Sequence, residues 1–164
     1  MTDPNALAYR PCVGVMLVNE RGHVFVGRRI DNKEGDWWQM PQGGIDRGED
    51  AQNAAVRELA EETGIAPDLI DIVAQAPETM RYDLPEELMG KLWGGRYRGQ
   101  EQTWFLARFT GVDADVNIEA HEPPEFCDWK WVEPAQLPEL IVPFKKTIYA
   151  RLVAEFESRI ARPA

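Results

Sequence analysis

The chain contains few of the residues that form covalent cross-links or transition-metal sites. Its 164 residues include only two cysteines and two histidines. Cys12 and Cys127 are far apart and lie in apolar surroundings, so we predict two buried free thiols rather than a disulfide. Two cysteines without matching histidines also make no zinc site.

Hydrophobic runs long enough to cross a membrane are missing as well. No apolar segment approaches the roughly 18 residues that a membrane-spanning helix needs. The start of the chain, MTDPNALAYR, lacks the basic residues and the apolar core of a secretory signal. We therefore expect a cytoplasmic protein with no membrane partner.

Positive charge is also scarce, since 18 lysines and arginines stand against 28 acidic residues, a formal net charge of −10. Proteins that bind extended duplex nucleic acid through its phosphates normally carry a basic surface. An extended duplex is therefore excluded as a partner, whereas a short polyphosphate or one RNA end needs only a local basic cluster. The sequence carries no signal for a particular oligomeric state.

Length and apolar content predict one domain. Hydrophobic residues make up 44% of the chain, which is enough for a core of its own at this length. We place the domain at residues 9–160, between tails at residues 1–8 and 161–164.

The order of the predicted elements favours an α/β/α sandwich. Apolar patterns predict strands at residues 12–18, 23–28, 37–40, 70–75, 79–84, 102–109 and 126–132. A short helix is expected to open at Glu133 and Pro134, since proline is tolerated in a first turn. A longer helix at about 143–159 has a core stripe of Ile148, Leu152, Val153 and Phe156. The irregular stretch at 85–98 is long enough to indicate a functional loop.

The segment at residues 43–65 carries the chemistry. A helix from about Asp50 to Gly64 would place Glu58, Glu61 and Glu62 on one face of its last two turns. Each like-charge pair costs about 0.2–0.5 kcal/mol there, and the helix dipole adds about 0.3–1 kcal/mol per acid at that end. A divalent cation would reverse both costs. A solvated acidic face is the alternative, but it predicts several basic partners at matching spacing.

Magnesium is the ion that fits such a cluster, because it takes oxygen ligands in octahedral geometry. Glu58 and Glu62 lie one turn apart and are the predicted direct ligands. Glu61 is close enough to share the metal or to hold its water. Arg57 has a rigid fork that orients carboxylates, and Glu49 either anchors the loop or serves as an outer ligand.

The segment at residues 43–65 resembles a complete Nudix box, with Gly43, Glu49 and the run RELAEETGI at residues 57–65. Further segments resemble the branch that contains RNA pyrophosphohydrolases and dinucleoside tetraphosphate hydrolases, namely residues 9–11, 38–44, 81–82, 99–106, 124–126 and 144–145. The resemblance implies an α+β fold, the Nudix-type α/β/α sandwich with a mixed β-sheet. It also implies hydrolysis of phosphoanhydride bonds with Mg²⁺, or Mn²⁺ as a substitute.

The resemblance extends the candidate site beyond the helix. It implies that the Gly43 carbonyl and Glu125 complete the metal set of Gly43, Glu58, Glu61, Glu62 and Glu125. Glu122 is an equally available loop acid, and the general base stays open among Glu61, Glu62 and Glu125. The catalytic set is Arg57, Glu58, Glu61, Glu62 and Glu125.

Substrate contacts are implied by the resemblance for Arg10, Arg28, Gln42, Tyr82, Phe144 and Lys145. The two aromatic rings would stack on a base, and the cationic side chains would hold phosphates. We favour removal of pyrophosphate from the 5′-triphosphate end of RNA, with dinucleoside polyphosphates also cleaved.

A dedicated diadenosine tetraphosphate hydrolase is the alternative substrate reading, because the flank of Tyr82 (Asp83, Glu86 and Glu87) is acidic. An alternative of another class is a catalytically silent Nudix module that senses a nucleotide. Loss of box glutamates would mark such a module, and this box retains all of them.

Overall fold

The computed structural model describes residues 7–30, 35–85 and 92–160. Its centre is a mixed sheet of seven strands: β1 Ala8–Val18, β2 Val24–Arg29, β3 Gln42–Gly44, β4 Ile70–Gln75, β5 Met80–Asp83, β6 Tyr97–Phe109 and β7 Phe126–Val132. The main path runs β4-β6-β1-β2-β7, with β3 paired to β1 and β5 paired to β6. β1 and β6 run parallel, and the other pairs are antiparallel.

Side chains alternate along β1 and divide the core into two layers. Val13, Val15 and Leu17 pack toward helix α1 (Ala51–Thr63). Met16 and Val18 face the opposite side, where helix α3 (Lys146–Ile160) covers the sheet. The short helix α2 (Leu137–Leu140) packs beside α3. This is the predicted α/β/α sandwich around a mixed sheet. No helix among the described residues is long and apolar enough to span a bilayer.

The ends of α1 are fixed by local chemistry, as the sequence predicts. The Asp50 side chain accepts a hydrogen bond of 2.8 Å from the backbone N–H of Asn53. At the other end Gly64 has φ 72°, and its N–H donates to the Ala60 carbonyl at 2.9 Å. A side chain at Gly64 would overlap the Asn117 carbonyl. The helix therefore stops directly after its acidic turn.

One predicted strand is wrong. Residues 37–40 make only an isolated bridge between Gln39 and Gly27, and the strand lies just beyond, at β3. The apolar side chains at 38 and 40 enter the core below α3, which imitates a strand pattern. The backbone N–H of Trp38 donates to the Leu140 carbonyl, and that of Met40 donates to the Tyr149 hydroxyl, both at 2.8 Å.

Two strands begin earlier in the sequence than predicted. β1 begins at Ala8, and β6 begins at Tyr97 instead of residue 102, because the two strands pair in parallel along that extra length. Of the predicted loop at 85–98, residues 86–91 lie outside the described residues, and Leu92–Gly95 is a 3₁₀ turn. Both cysteines are free, but Cys127 is exposed, since the neighbouring Phe126 takes the buried side of β7.

Candidate active site

Arg57 organises the acidic residues at the end of α1. Its guanidinium donates two hydrogen bonds to the Glu49 carboxylate, at 2.8 and 2.9 Å. The same group donates to Glu58 at 2.9 Å and to Glu61 at 3.2 Å. A further bond of 3.0 Å reaches the Gly44 carbonyl. One side chain thus ties the loop after β3 to two acids of the helix, through the rigid fork of its guanidinium.

The hydrogen bonds between Arg57 and Glu49 shift the pKa values of both side chains. Hydrogen bonding from Arg57, aided by the Asp46 backbone N–H, lowers the pKa of Glu49 to about 2. The same contacts raise the pKa of Arg57 itself. Glu49 therefore anchors the loop to the helix as a permanent carboxylate, in agreement with the first of its two predicted roles.

Glu62 has no such compensation. Its side chain is 1% exposed, and neither carboxylate oxygen makes a hydrogen bond with a described residue. Burial raises its pKa well above the usual range, and the charges of Glu58 and Glu125 raise it further. Arg29 and the backbone N–H of Gln42 lower it slightly, although that N–H does not reach hydrogen-bond geometry. A buried charge without a partner is costly.

Glu58 and Glu125 surround this orphaned carboxylate. Burial raises the pKa of Glu58 against the opposing effect of Arg57. The charge of Glu125 acts on both Glu58 and Glu62, so the loop before β7 faces the helix as predicted. Glu125 is fixed there by its carbonyl, which accepts from the Ile30 N–H at 3.0 Å. The Gly43 backbone lies against the Glu58 carboxylate, where a Cβ would overlap it.

These residues fit a divalent cation by their chemistry. The donors are hard oxygens, two of them are buried without partners, and the surrounding charges are mutually repulsive. No three acidic, thiol or imidazole groups in the described part of the chain converge into a ready-made site, because Arg57 draws Glu58 and Glu61 to itself. A cation would therefore compete with Arg57 for those carboxylates.

Aromatic and cationic side chains line the other part of the site, on the α3 side of the sheet. The rings of Tyr82 and Phe144 are 5.5 Å apart and inclined at 48°. Tyr82 is buried, whereas Phe144 is 39% exposed, so Phe144 offers a free face. Lys145 Nζ lies 5.2 Å from the Tyr82 ring and 5.8 Å from the Phe144 ring. The structure thus brings these three predicted contacts together.

Lys145 is itself unusual, because its side chain is buried. Burial, with the charge of Arg29, lowers its pKa to about 8. The nearby Cys12 thiol is also fully buried, and burial raises its pKa to about 11, so it stays neutral. The cation at Lys145 is therefore only marginally stable and would gain from an anionic ligand.

The remaining predicted contacts are divided. The Arg10 guanidinium packs over Gly44 and donates to Cys12 Sγ at 3.7 Å. Arg28 Nε lies 3.8 Å from the exposed Asp36 carboxylate. Arg29, which the sequence analysis missed, acts electrostatically on Glu62, Tyr82 and Lys145. Strand alternation in the sequence does not select between the two arginines, because both faces of β2 are buried.

A sequence model of the NUDIX domain matches residues 8–152. The chain therefore belongs to the NUDIX domain family, and the resemblance drawn from residues 43–65 is confirmed. Among the curated relatives, a protein of Erythrobacter litoralis named RNA pyrophosphohydrolase is 65% identical over 96% of each chain. One of the same name from Novosphingobium aromaticivorans is 62% identical, over 94% of this chain and 96% of its own.

Solved structures agree on the fold. The E. coli dihydroneopterin triphosphate pyrophosphohydrolase superposes with a TM-score of 0.70 at 19% identity, covering 90% of this chain and 98% of that one. A C. elegans Ap4A hydrolase binary complex gives 0.66 at 21% identity, covering 91% and 98%. At these identities the likeness concerns the fold alone, and it confirms the predicted Nudix-type sandwich.

Proposed function

We propose that this protein is a divalent-metal-dependent hydrolase that removes pyrophosphate from the 5′-triphosphate end of RNA and also cleaves dinucleoside polyphosphates. The observation that carries the proposal is the buried Glu62 carboxylate without a hydrogen-bond partner, within a complete Nudix box whose chain also brings Tyr82, Phe144 and Lys145 together. Relatives named RNA pyrophosphohydrolase, at 65% and 62% identity over nearly the full chain, support the substrate class.

The metal ligands we propose are the carboxylates of Glu58, Glu61, Glu62 and Glu125 with the Gly43 carbonyl. Mg²⁺ is the proposed ion, with Mn²⁺ as a substitute. The ion supplies neutralisation of the phosphate oxygens and acidification of a water molecule. Arg57 keeps Glu58 and Glu61 oriented, and the general base lies among Glu61, Glu62 and Glu125.

Recognition of the nucleotide falls to the α3 side of the sheet. The exposed face of Phe144, backed by Tyr82, is placed to stack on a base. We propose that Lys145 and Arg10 hold the phosphates of the substrate as cations. Arg29 replaces Arg28 as the third proposed cation, because its charge already acts within the site.

The acidic residue next to Tyr82, which in the sequence counts against an RNA end as substrate, is neutralised by its neighbours in the structure. Asp83, the acid next to Tyr82, accepts hydrogen bonds from Arg98 at 3.0 and 3.1 Å and from Tyr9 at 2.7 Å. Its charge is therefore paired, and Arg98 lowers its pKa. The other two acids of that flank, Glu86 and Glu87, lie outside the described residues. We therefore keep the RNA end as the main substrate.

The test is a turnover assay with Mg²⁺ that compares 5′-triphosphorylated RNA with diadenosine tetraphosphate. We expect a much higher kcat/KM on the RNA end. Dominance of the dinucleotide would make the protein a dedicated dinucleoside tetraphosphate hydrolase. Nucleotide binding without product release would establish the sensor alternative and refute the enzyme.

The loop ligand is tested by two matched substitutions three residues apart. Glu125→Gln should lower kcat strongly and raise the Mg²⁺ concentration needed for half-maximal rate. Glu122→Gln, in an equally exposed residue of the same loop, should leave both unchanged. The reverse pattern would transfer the metal-binding role to Glu122.

A further inference from the structure

Three glutamines and a tryptophan, Gln42, Gln100, Gln102 and Trp104, form one hydrogen-bonded chain, the glutamine relay. Trp104 Nε1 donates to Gln102 Oε1 at 2.8 Å. Gln102 Nε2 donates in turn to Gln42 Oε1 at 3.0 Å and to Gln100 Oε1 at 2.8 Å. Trp104, Gln102 and Gln100 are all buried, at 0%, 1% and 4% exposure. None of these links belongs to the acidic cluster.

The direction of the chain is fixed by its first member. An indole N–H donates and cannot accept, so it holds Gln102 with the oxygen toward Trp104. Both N–H bonds of Gln102 are then used by Gln42 and Gln100, which must turn their oxygens inward. The indole cannot easily move, because its ring lies on the Gly14 backbone, where a Cβ would overlap it, and meets the Tyr149 ring edge-on at 6.0 Å.

The consequence is that the amide nitrogens of Gln42 and Gln100 are left without a place in this hydrogen-bonded chain. Neither Gln42 Nε2 nor Gln100 Nε2 donates to another described residue. Gln42 directly precedes Gly43, beside the acidic cluster. Gln100 is paired with Tyr82 across β5 and β6, and with Arg10 across β1 and β6. The two glutamines are therefore neighbours, in sequence or in strand register, of residues from both the acidic and the aromatic parts of the site.

We propose that Gln102 and Trp104 are positioning residues that hold the amide nitrogens of Gln42 and Gln100 toward the pocket as donors to non-bridging phosphate oxygens. The proposal rests on the proposed function, which places a polyphosphate there. Phosphate oxygens only accept hydrogen bonds, so a flipped amide would present its own oxygen to an anion. The relay therefore presents hydrogen-bond donors to the substrate, and the cations of Arg10 and Lys145 also suit an anionic ligand.

The first test reverses the direction of the hydrogen bonds in the relay and keeps the shape of the side chain at residue 102. Gln102→Glu replaces the donating nitrogen by an accepting oxygen, so Gln42 and Gln100 would rotate to donate inward. We expect KM for the triphosphate substrate to rise about tenfold or more, with kcat nearly unchanged. Unchanged KM in a variant that melts cooperatively would overturn the proposal.

A neutral variant separates orientation from added charge. Trp104→Phe removes the indole donor, together with part of a buried ring, without adding a charge. The Gln102 amide is then able to turn, so KM should rise by a smaller factor, about threefold. If Gln102→Glu raises KM while folded Trp104→Phe does not, charge alone explains the effect and the positioning role is refuted.

A spectroscopic measurement makes the test independent of turnover. In the wild type without metal, a triphosphate with a methylene bridge between the β and γ phosphorus atoms should shift the side-chain amide resonances of Gln42 and Gln100. In Gln102→Glu those shifts should vanish. Wild-type binding with no shift at either amide overturns the relay, whereas absent turnover of RNA ends and dinucleotides would refute the proposed function instead.

Discussion

Glu62→Gln should stabilise the metal-free protein while abolishing hydrolysis. The carboxylate is 1% exposed and both of its oxygens lack partners. An unsatisfied buried polar group costs about 1–3 kcal/mol, and a charged one costs more. The glutamine still buries a polar amide, so we expect a net gain in the free energy of unfolding of about 1–3 kcal/mol. For a chain of this size that corresponds to a rise in Tm of roughly 2–12 °C.

The gain in the free energy of unfolding of Glu62→Gln should increase with pH. Burial raises the folded-state pKa of Glu62 above its ordinary value, so the folded state binds more protons than the unfolded state between the two values. Wild-type stability therefore falls as the pH rises through that window. Glutamine does not titrate, so its advantage should widen from mildly acidic to mildly alkaline pH.

Mg²⁺ should make the wild type more stable than Glu62→Gln, the reverse of the order without metal. A ligand at 100 times its Kd adds about 2.7 kcal/mol to a protein that binds it only when folded. The wild type should gain this increment and Glu62→Gln should not. Calorimetry with chelator and with Mg²⁺ measures both differences. The control is Glu157→Gln on the exposed side of α3, which should match the wild type under both conditions.

Two outcomes would refute this reasoning. If Glu62→Gln melts no higher than the wild type in chelator, the carboxylate is not an uncompensated charge. If Mg²⁺ raises the Tm of both proteins equally, Glu62 is not a ligand.

Three further predictions concern the rest of the site. Arg57→Lys cannot form the paired bonds to Glu49 while holding Glu58, so kcat should fall about 100-fold through misplacement of the acids, measured at saturating Mg²⁺; full activity would contradict the orienting role. Lys145 has a pKa of about 8 and is proposed to bind phosphate as a cation, so KM should rise above that pH by about tenfold per unit, and Lys145→Arg should remove the rise. Phe144→Ala should weaken substrate binding by about 1–3 kcal/mol with little change in Tm, because the side chain is 39% exposed; Phe144→Tyr serves as its control.

The helix that carries the chemistry was predictable because its signals are local. Asp50 caps its start, Gly64 ends it, and the spacing of the glutamates places them on one face. Arg57 was likewise identifiable from its position within the box. These features depend on residues a few positions apart, which sequence spacing describes well.

The misplaced elements depend on contacts that spacing does not contain. The segment at residues 37–40 has its backbone satisfied by the Leu140 carbonyl and the Tyr149 hydroxyl, about a hundred residues away in sequence. Arg29 could not be singled out from spacing either, because both faces of β2 are buried and its electrostatic action on Glu62 and Lys145 depends on the fold. The glutamine relay joins β3 to β6, a pairing through β1 that only the fold reveals.

The charges of the site explain why a cation belongs at one particular place. Arg57 compensates Glu49, Glu58 and Glu61 through direct hydrogen bonds, yet it makes none with Glu62. The only carboxylate of the helix without a partner is therefore also its most buried one, and it faces Glu58 and Glu125. Stability alone would favour an apolar side chain at that position. The proposed divalent cation accounts for a charge that stability alone would not retain.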